Sequence, residues 1–166
     1  MTRRAFLTKT AVFLGGALSF LAYNTNALAG HIVQKLTLST SEWKKRLTGQ
    51  QYNILREEGT EAPYSSVLLK EKRKGVFACA GCDLPLFYSK RKYESGTGWP
   101  SFYQAIPNSI ETKTDYKLGL PRTEYHCTRC GGHHGHIFND GPEPTGLRYC
   151  NNGIALKFIP MTDRKG

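Results

Sequence analysis

The residues in this chain most able to do chemistry are its five cysteines, and their spacing divides them four to one. Cys79 and Cys82 ("CAGC") and Cys127 and Cys130 ("CTRC") make two C-x2-C pairs separated by forty-four residues. Each pair can fold into a tight knuckle, and four converging thiolates give the closed tetrahedral shell of a structural zinc site. Gly81 and Gly131 supply the backbone freedom that such turns need. In an oxidising compartment the same residues could form two disulfides. These would run between the pairs, because a ring closed within C-x2-C is small and strained. The spacing favours the metal. Taken alone, the pattern also fits an exported zinc-binding interaction module without catalysis.

Cys150, in "GLRYCNNGIALKF", has no mate. On a strand, period-two alternation puts Arg148, Cys150 and Asn152 on one face and Tyr149 and Asn151 on the other. A guanidinium so placed favours thiolate over thiol, and the asparagine can donate a hydrogen bond near the sulfur. Lowering a thiol pKa by about two units, ~2.7 kcal/mol, makes the thiolate the majority form at neutral pH. The pattern therefore predicts a nucleophile, against the alternative of an inert cysteine packed as a small hydrophobe. His133, His134 and His136 crowd "CGGHHGHIFNDGP". They read either as a second metal site or as imidazole acids beside the nucleophile. Regular strand geometry pairs His134 with His136, whereas a bulge at Gly135 would let His133 and His136 converge. A thiol hydrolase would also need an oxyanion hole and an orienting carboxylate, for which only Asp140 can be nominated.

Short elements must position these groups. "STSEWKKRLTGQQYNILREEGTEAP" predicts two helices capped from Ser39–Ser41, broken at Gly49 and closed by Gly59 and Pro63. "SSVLLKEKRKGVFAC" reads as two strands around a charged turn, and "DLPLFYS" as a third. "SIETKTDYKL", "RTEYHC", "HHGHIF", "LRYCNN" and "IALKFIP" continue the series between Gly and Pro breaks. The expectation is a mainly β fold, antiparallel, with short N-terminal helices.

The chain of 166 residues fits one domain, and its formal charge is +10. Arg3 and Arg4, the apolar run 11–22 and Ala27-Leu28-Ala29 predict a signal peptide over 1–29, with the twin-arginine pattern of export in the folded state. A dozen apolar residues fall short of the roughly twenty that span a bilayer, so no stable membrane anchor is expected. Residues 30–166 would then form one periplasmic domain with 20 basic and 13 acidic side chains. The basic residues are scattered rather than clustered, which argues against a nucleic-acid partner.

Together, "CAGCDLPLF", "SGTGWPSF", "CTRCGGHHGHIFNDGP" and "GLRYCNNGIALKF" resemble the B-type methionine-R-sulfoxide reductases, over about residues 40–160. "REEGTEAPYSS" resembles that family's N-terminal signature. The resemblance implies two antiparallel β-sheets, one structural zinc on Cys79, Cys82, Cys127 and Cys130, and reduction of the R epimer of methionine sulfoxide, in oxidised proteins or free; a monomer is expected. It further implies that Cys150 attacks the sulfoxide sulfur and becomes a sulfenic acid. By position, Trp99 would pack on the substrate methyl and His133 and His136 would help protonate the sulfoxide oxygen. Arg148 would stabilise the thiolate, Asn152 would orient polar groups, and Phe138 would complete the apolar wall. Thr97 stands where many relatives carry a resolving cysteine. An external thiol or thioredoxin-like reductant is therefore expected to regenerate Cys150. Asn151 replaces a residue that is often aliphatic in relatives.

Overall fold

The computed structural model describes residues 33–162; the expected signal peptide lies outside them. The two helices form as the caps dictate. In α1 (Thr40–Arg46) the Ser39 hydroxyl and the Glu42 carboxylate cap one another's backbone N–H groups. In α2 (Gly49–Glu57) Thr48 and Gln51 do the same. Gly49 thus opens α2 rather than merely separating the helices. Glu58 ends it in the left-handed region (φ 55°).

Among the described residues nine strands follow: β1 (Gly75–Cys79), β2 (Pro85–Tyr88), β3 (Lys92–Tyr93), β4 (Ser101–Phe102), β5 (Ile110–Asp115), β6 (Arg122–Cys127), β7 (His133–Phe138), β8 (Arg148–Asn151) and β9 (Leu156–Pro160). They make a three-stranded sheet, β2-β1-β9, and a six-stranded sheet, β3-β4-β8-β7-β6-β5. Every pairing is antiparallel. One expected strand is absent. Val67–Lys70 is a single 3-10 turn, because the Ser66 hydroxyl accepts the Leu68 N–H and captures the backbone locally.

Aromatic rings fill the space between the sheets. Phe77 and Phe87 from the smaller sheet meet Phe102 from the larger at centroid distances of 4.9 and 4.4 Å. Tyr125 and Tyr149 close the cluster around Phe87. Phe102 is a fully buried core residue. Because Tyr149 faces this core, its neighbours Arg148 and Cys150 must face the other side of the large sheet.

Candidate active site

Strand β8 lies in the interior of the six-stranded sheet, and its register assembles the site. Cys150 sits opposite Ser101 on β4 and opposite His136 on β7, while Arg148 sits opposite Phe138. Directly opposed residues share a face, so thiol and imidazole are brought together by strand pairing alone. Gly135 permits that pairing: a Cβ there would lie 2.0 Å from the Cys150 carbonyl oxygen. A cleft of about 150 Å³ opens at this point, lined by Cys150, Trp99, His136, Phe138, Asn152 and Thr60, among others. It is sized for one side chain rather than for a drug-sized ligand. A larger groove of about 820 Å³ between α2 and segment 60–68 contains no thiol, imidazole or cationic group, so it lacks the means for this chemistry.

The electrostatics of Cys150 differ from the expectation. Burial pushes its thiol above the ordinary value, and the Arg148 charge and the Thr97 hydroxyl pull it back only in part. The reason is visible in the partners of Arg148. Its Nε and Nη2 each donate at 2.8 Å to the Asp140 carboxylate, which spends much of the positive field, and its guanidinium stacks on Phe138 at 4.2 Å. Asp140, nominated from sequence only for another chemistry, is thus a counterion that restrains ionisation. Arg148→Gln should raise the midpoint of Cys150 alkylation by iodoacetamide by about one pH unit, and Asp140→Asn should lower it. Midpoints that do not move in opposite directions would refute this account.

The histidines converge through a bulge, placed one residue earlier than expected. Tyr125 pairs with Gly135 and His126 with His133, which leaves His134 as the extra residue. The rings of His133 and His136 come within 5.7 Å. His136 Nε2 meets Asp115 Oδ2 at 2.8 Å. His133 Nδ1 meets Glu124 Oε1 at 2.5 Å, and burial pushes the pKa of His133 down. His136 lines the cleft with Cys150; His133 lines an adjoining recess of about 220 Å³.

His134 turns into the core instead. It is fully buried, stacks on Tyr125 at 6.2 Å, and neither ring nitrogen finds a partner. Burial holds its pKa down at about 3. His134→Leu should therefore stabilise the fold by about 1–2 kcal/mol, since an unsatisfied buried polar group costs about that much. Between the ordinary histidine pKa of about 6.5 and about 3, the unfolded chain binds a proton that native His134 refuses. Stability should fall with decreasing pH through that window, and the leucine variant should lose up to about 1.4 kcal/mol per pH unit of the slope. Urea unfolding of both proteins at several pH values measures the difference.

Trp99 and Asn152 are held by one clamp. The Trp99 indole donates to the Glu61 carbonyl at 3.1 Å, and the Glu61 N–H donates to Asn152 Oδ1 at 3.0 Å. Asn152 Nδ2 in turn donates to the His134 carbonyl at 3.1 Å. The Glu61 carboxylate accepts from the backbone of Gly153 and Ile154. Asn152 lines the cleft, but its amide is committed to backbone, so it orients the walls rather than offering free donors. Asn151 is fully buried, with its amide donating to the Tyr149 carbonyl.

The four paired cysteines meet within the buried core. Their sulfurs all lie within 4.8 Å of one another, with Cys82–Cys127 and Cys79–Cys130 at 3.4 and 3.6 Å. Such separations exclude a disulfide of about 2.0 Å. They approach the ~3.8 Å expected between thiolates in a tetrahedron with metal–sulfur bonds of about 2.3 Å. Arg46, Arg56 and Arg129 donate to the carbonyls of Gly81, Cys130 and Cys82. Three guanidiniums around the knuckles suit a site whose four thiolates exceed the charge of a divalent ion. The cluster can hold a structural metal.

Sequence reading missed Thr60, Glu61, Asp115 and Glu124 as site-building groups. Thr60 and Glu61 lie within the quoted "REEGTEAPYSS"; Asp115 and Glu124 carried no signal because only the β5–β6–β7 register brings them to the histidines.

The comparisons agree with this architecture. The SelR domain model matches residues 47–160. The peptide methionine sulfoxide reductase MsrB of Leptospira interrogans is 54% identical over 121 residues, covering 72% of this chain and 92% of the relative. The mitochondrial methionine-R-sulfoxide reductase B2 of Rattus norvegicus is 50% identical over 137 residues, 78% of this chain and 79% of that one. The MsrB of Methanosarcina barkeri is 52% identical over 129 residues, covering 77% and 89%. With two antiparallel sheets, a cleft cysteine and a four-cysteine cluster in place, the chain belongs to the SelR-domain family, that of the B-type methionine-R-sulfoxide reductases.

Proposed function

We propose that this protein reduces the R epimer of methionine sulfoxide through Cys150. The carrying observation is the cleft itself: one thiol, an imidazole opposite it, and an indole and a phenyl ring as walls. A sulfoxide is polar at oxygen and apolar at methyl. His136 offers the polar contact and Trp99 the apolar one, so the two substituents are read in different places, which is how one epimer is selected. Cys150 sulfur attacks the sulfoxide sulfur; oxygen passes to Cys150 as it is protonated, and methionine leaves with Cys150 as sulfenic acid. His133, held in one tautomer by Glu124, and His136, held by Asp115, supply and relay the proton.

Regeneration follows from the cysteine inventory. Thr97, not a thiol, faces Cys150, and the other four cysteines are clustered and buried. A first external thiol condenses with the sulfenic acid and releases water; a second thiol, or the partner thiol of a thioredoxin-like reductant, then frees Cys150. The cluster's metal is zinc, which four thiolates in a closed shell favour, and its task is structural. Peptide-bound substrate is supported by the β5–β6 hairpin tip beside the cleft, where Tyr116, Leu118 and Leu120 are 68–74% exposed and can receive flanking apolar chain. Arg3 and Arg4, the apolar run 11–22 and Ala27-Leu28-Ala29 support a leader over 1–29 and export to the periplasm, the mature domain being 30–166.

The test is an assay with the R and S sulfoxide epimers, each free and in a peptide, driven by a dithiol. Turnover of the R epimer alone, with the peptide preferred, is the expected result. Equal rates on both epimers, or none on either, would reject the reading.

A further inference from the structure

Two groups of side chains among the described residues bring metal-ligand atoms within 4.8 Å of each other: the four cysteines, and Glu124 with His126 and His133. The second group is assembled by the same register that builds the cleft. Glu124 and His126 are two apart on β6 and share a face, and His133 lies directly opposite His126 across the bulge. His126 Nε2 is 2.7 Å and His133 Nδ1 2.5 Å from a single oxygen, Glu124 Oε1.

We propose that Glu124, His126 and His133 form a second cation site, for a borderline divalent transition metal such as nickel or zinc. Two imidazoles and a carboxylate are the donor set that such ions prefer over magnesium or calcium, which want more oxygens. Three donors at about 2.0–2.1 Å from an ion in tetrahedral geometry stand about 3.3–3.4 Å apart. Each imidazole nitrogen must therefore retreat from Oε1 by less than about 1 Å, well within side-chain torsion. The recess of about 220 Å³ beside His133 and Glu124 gives the ion a route in and water a fourth position. Lys113 opposes occupancy, since its Nζ lies 3.3 Å from Glu124 Oε2, but it is half exposed and bonds more closely to Glu58 at 2.5 Å. It sets the affinity below that of a dedicated metal centre without blocking the oxygen that faces the imidazoles.

Ligation at His133 Nδ1 moves that ring's proton to Nε2 and fixes it there. Occupancy therefore lowers turnover, a consequence that rests on the role given to His133 above. The site itself does not.

The experiment uses the zinc-loaded protein and nickel chloride as the probe. Titration calorimetry on Cys150→Ser, which removes the reactive thiol as a competing ligand, should show one equivalent bound more tightly than about 100 μM. His126→Gln in the same background should weaken binding at least tenfold, since loss of even a supporting partner costs about 10- to 100-fold. The glutamine amide can still donate to Glu124, and unchanged circular dichroism with one zinc retained confirms an intact fold. Glu124→Gln provides a second variant, with the same loss expected. No binding, or binding unchanged by both variants, would overturn the site. Turnover of proteins that retain Cys150 separates the two claims. Nickel should slow the wild type reversibly and leave His126→Gln unaffected. Nickel bound with turnover undiminished would leave the site standing and overturn the part assigned to His133.

Discussion

Cys150→Ser should abolish reduction of the R sulfoxide, by at least about 10³-fold, while leaving the fold and the metal content of the four-cysteine cluster unchanged. The magnitude follows from the chemistry. A serine hydroxyl is a far weaker nucleophile than a thiolate at neutral pH, and sulfur is needed to accept the oxygen. The fold should survive because Cys150 is the one cysteine that is only half buried and makes no contact with the cluster. Wild-type activity should rise with pH, since burial holds the thiol above its ordinary value and the reactive thiolate grows toward alkaline pH. A single turnover without reductant should leave one sulfenic acid on Cys150, trapped by dimedone and located by mass spectrometry. An internal disulfide at Cys150 in the mature protein would contradict the assignment of Thr97 as a non-resolving residue. Residual activity of Cys150→Ser within tenfold of wild type would place the nucleophile elsewhere.

The second large effect concerns stability. Stripping the metal from the cluster, or replacing Cys127 by serine, should unfold the domain at ambient temperature or lower its melting temperature by more than about 20 °C. A structural zinc contributes about 10–16 kcal/mol of apparent binding free energy, against a net stability of about 5–15 kcal/mol for a whole domain. Here the four ligands are all buried, at 0–7% exposure, and tie β1 of the small sheet to β6 of the large one. Removing the ion leaves four thiols crowded within 4.8 Å of one another with only weak hydrogen bonds between them. Thermal unfolding followed by far-ultraviolet circular dichroism, with and without a chelator, and metal analysis giving one zinc per chain, measure the effect. A melting temperature that moves by only a few degrees would show that the aromatic core alone carries the fold.

The two experiments are independent. Cys150→Ser should lose chemistry and keep the metal; Cys127→Ser should lose structure, and activity only as a result. A protein in which both variants lost zinc and fold together would have one cysteine network rather than two.

Several features were determined by the sequence itself because they depend on short-range chemistry. C-x2-C spacing makes two sulfurs converge wherever the knuckle sits. Ser39 and Thr48, each three residues before Glu42 or Gln51, start helices through contacts within one turn. Alternation puts Arg148 and Cys150 on one face of β8 whatever lies beside it. Most strands were legible from the same periodicity; Val67–Lys70 was not, because a serine hydroxyl outweighed a weak strand pattern.

Tertiary structure decided what period and spacing do not encode: which strands become neighbours. The pairing of β7 with β8 put His136 against Cys150, and β6 against β7 put Glu124 beside His133. The bulge fell on His134 and sent an imidazole into the core, where regular strand alternation would have put it on one face with His136. Burial then reversed the expected shift of the Cys150 thiol, because the half-buried sulfur is partly desolvated and Arg148 is shared with Asp140. Desolvation and long-range pairing are properties of the assembled sheet, and no local window of residues contains them.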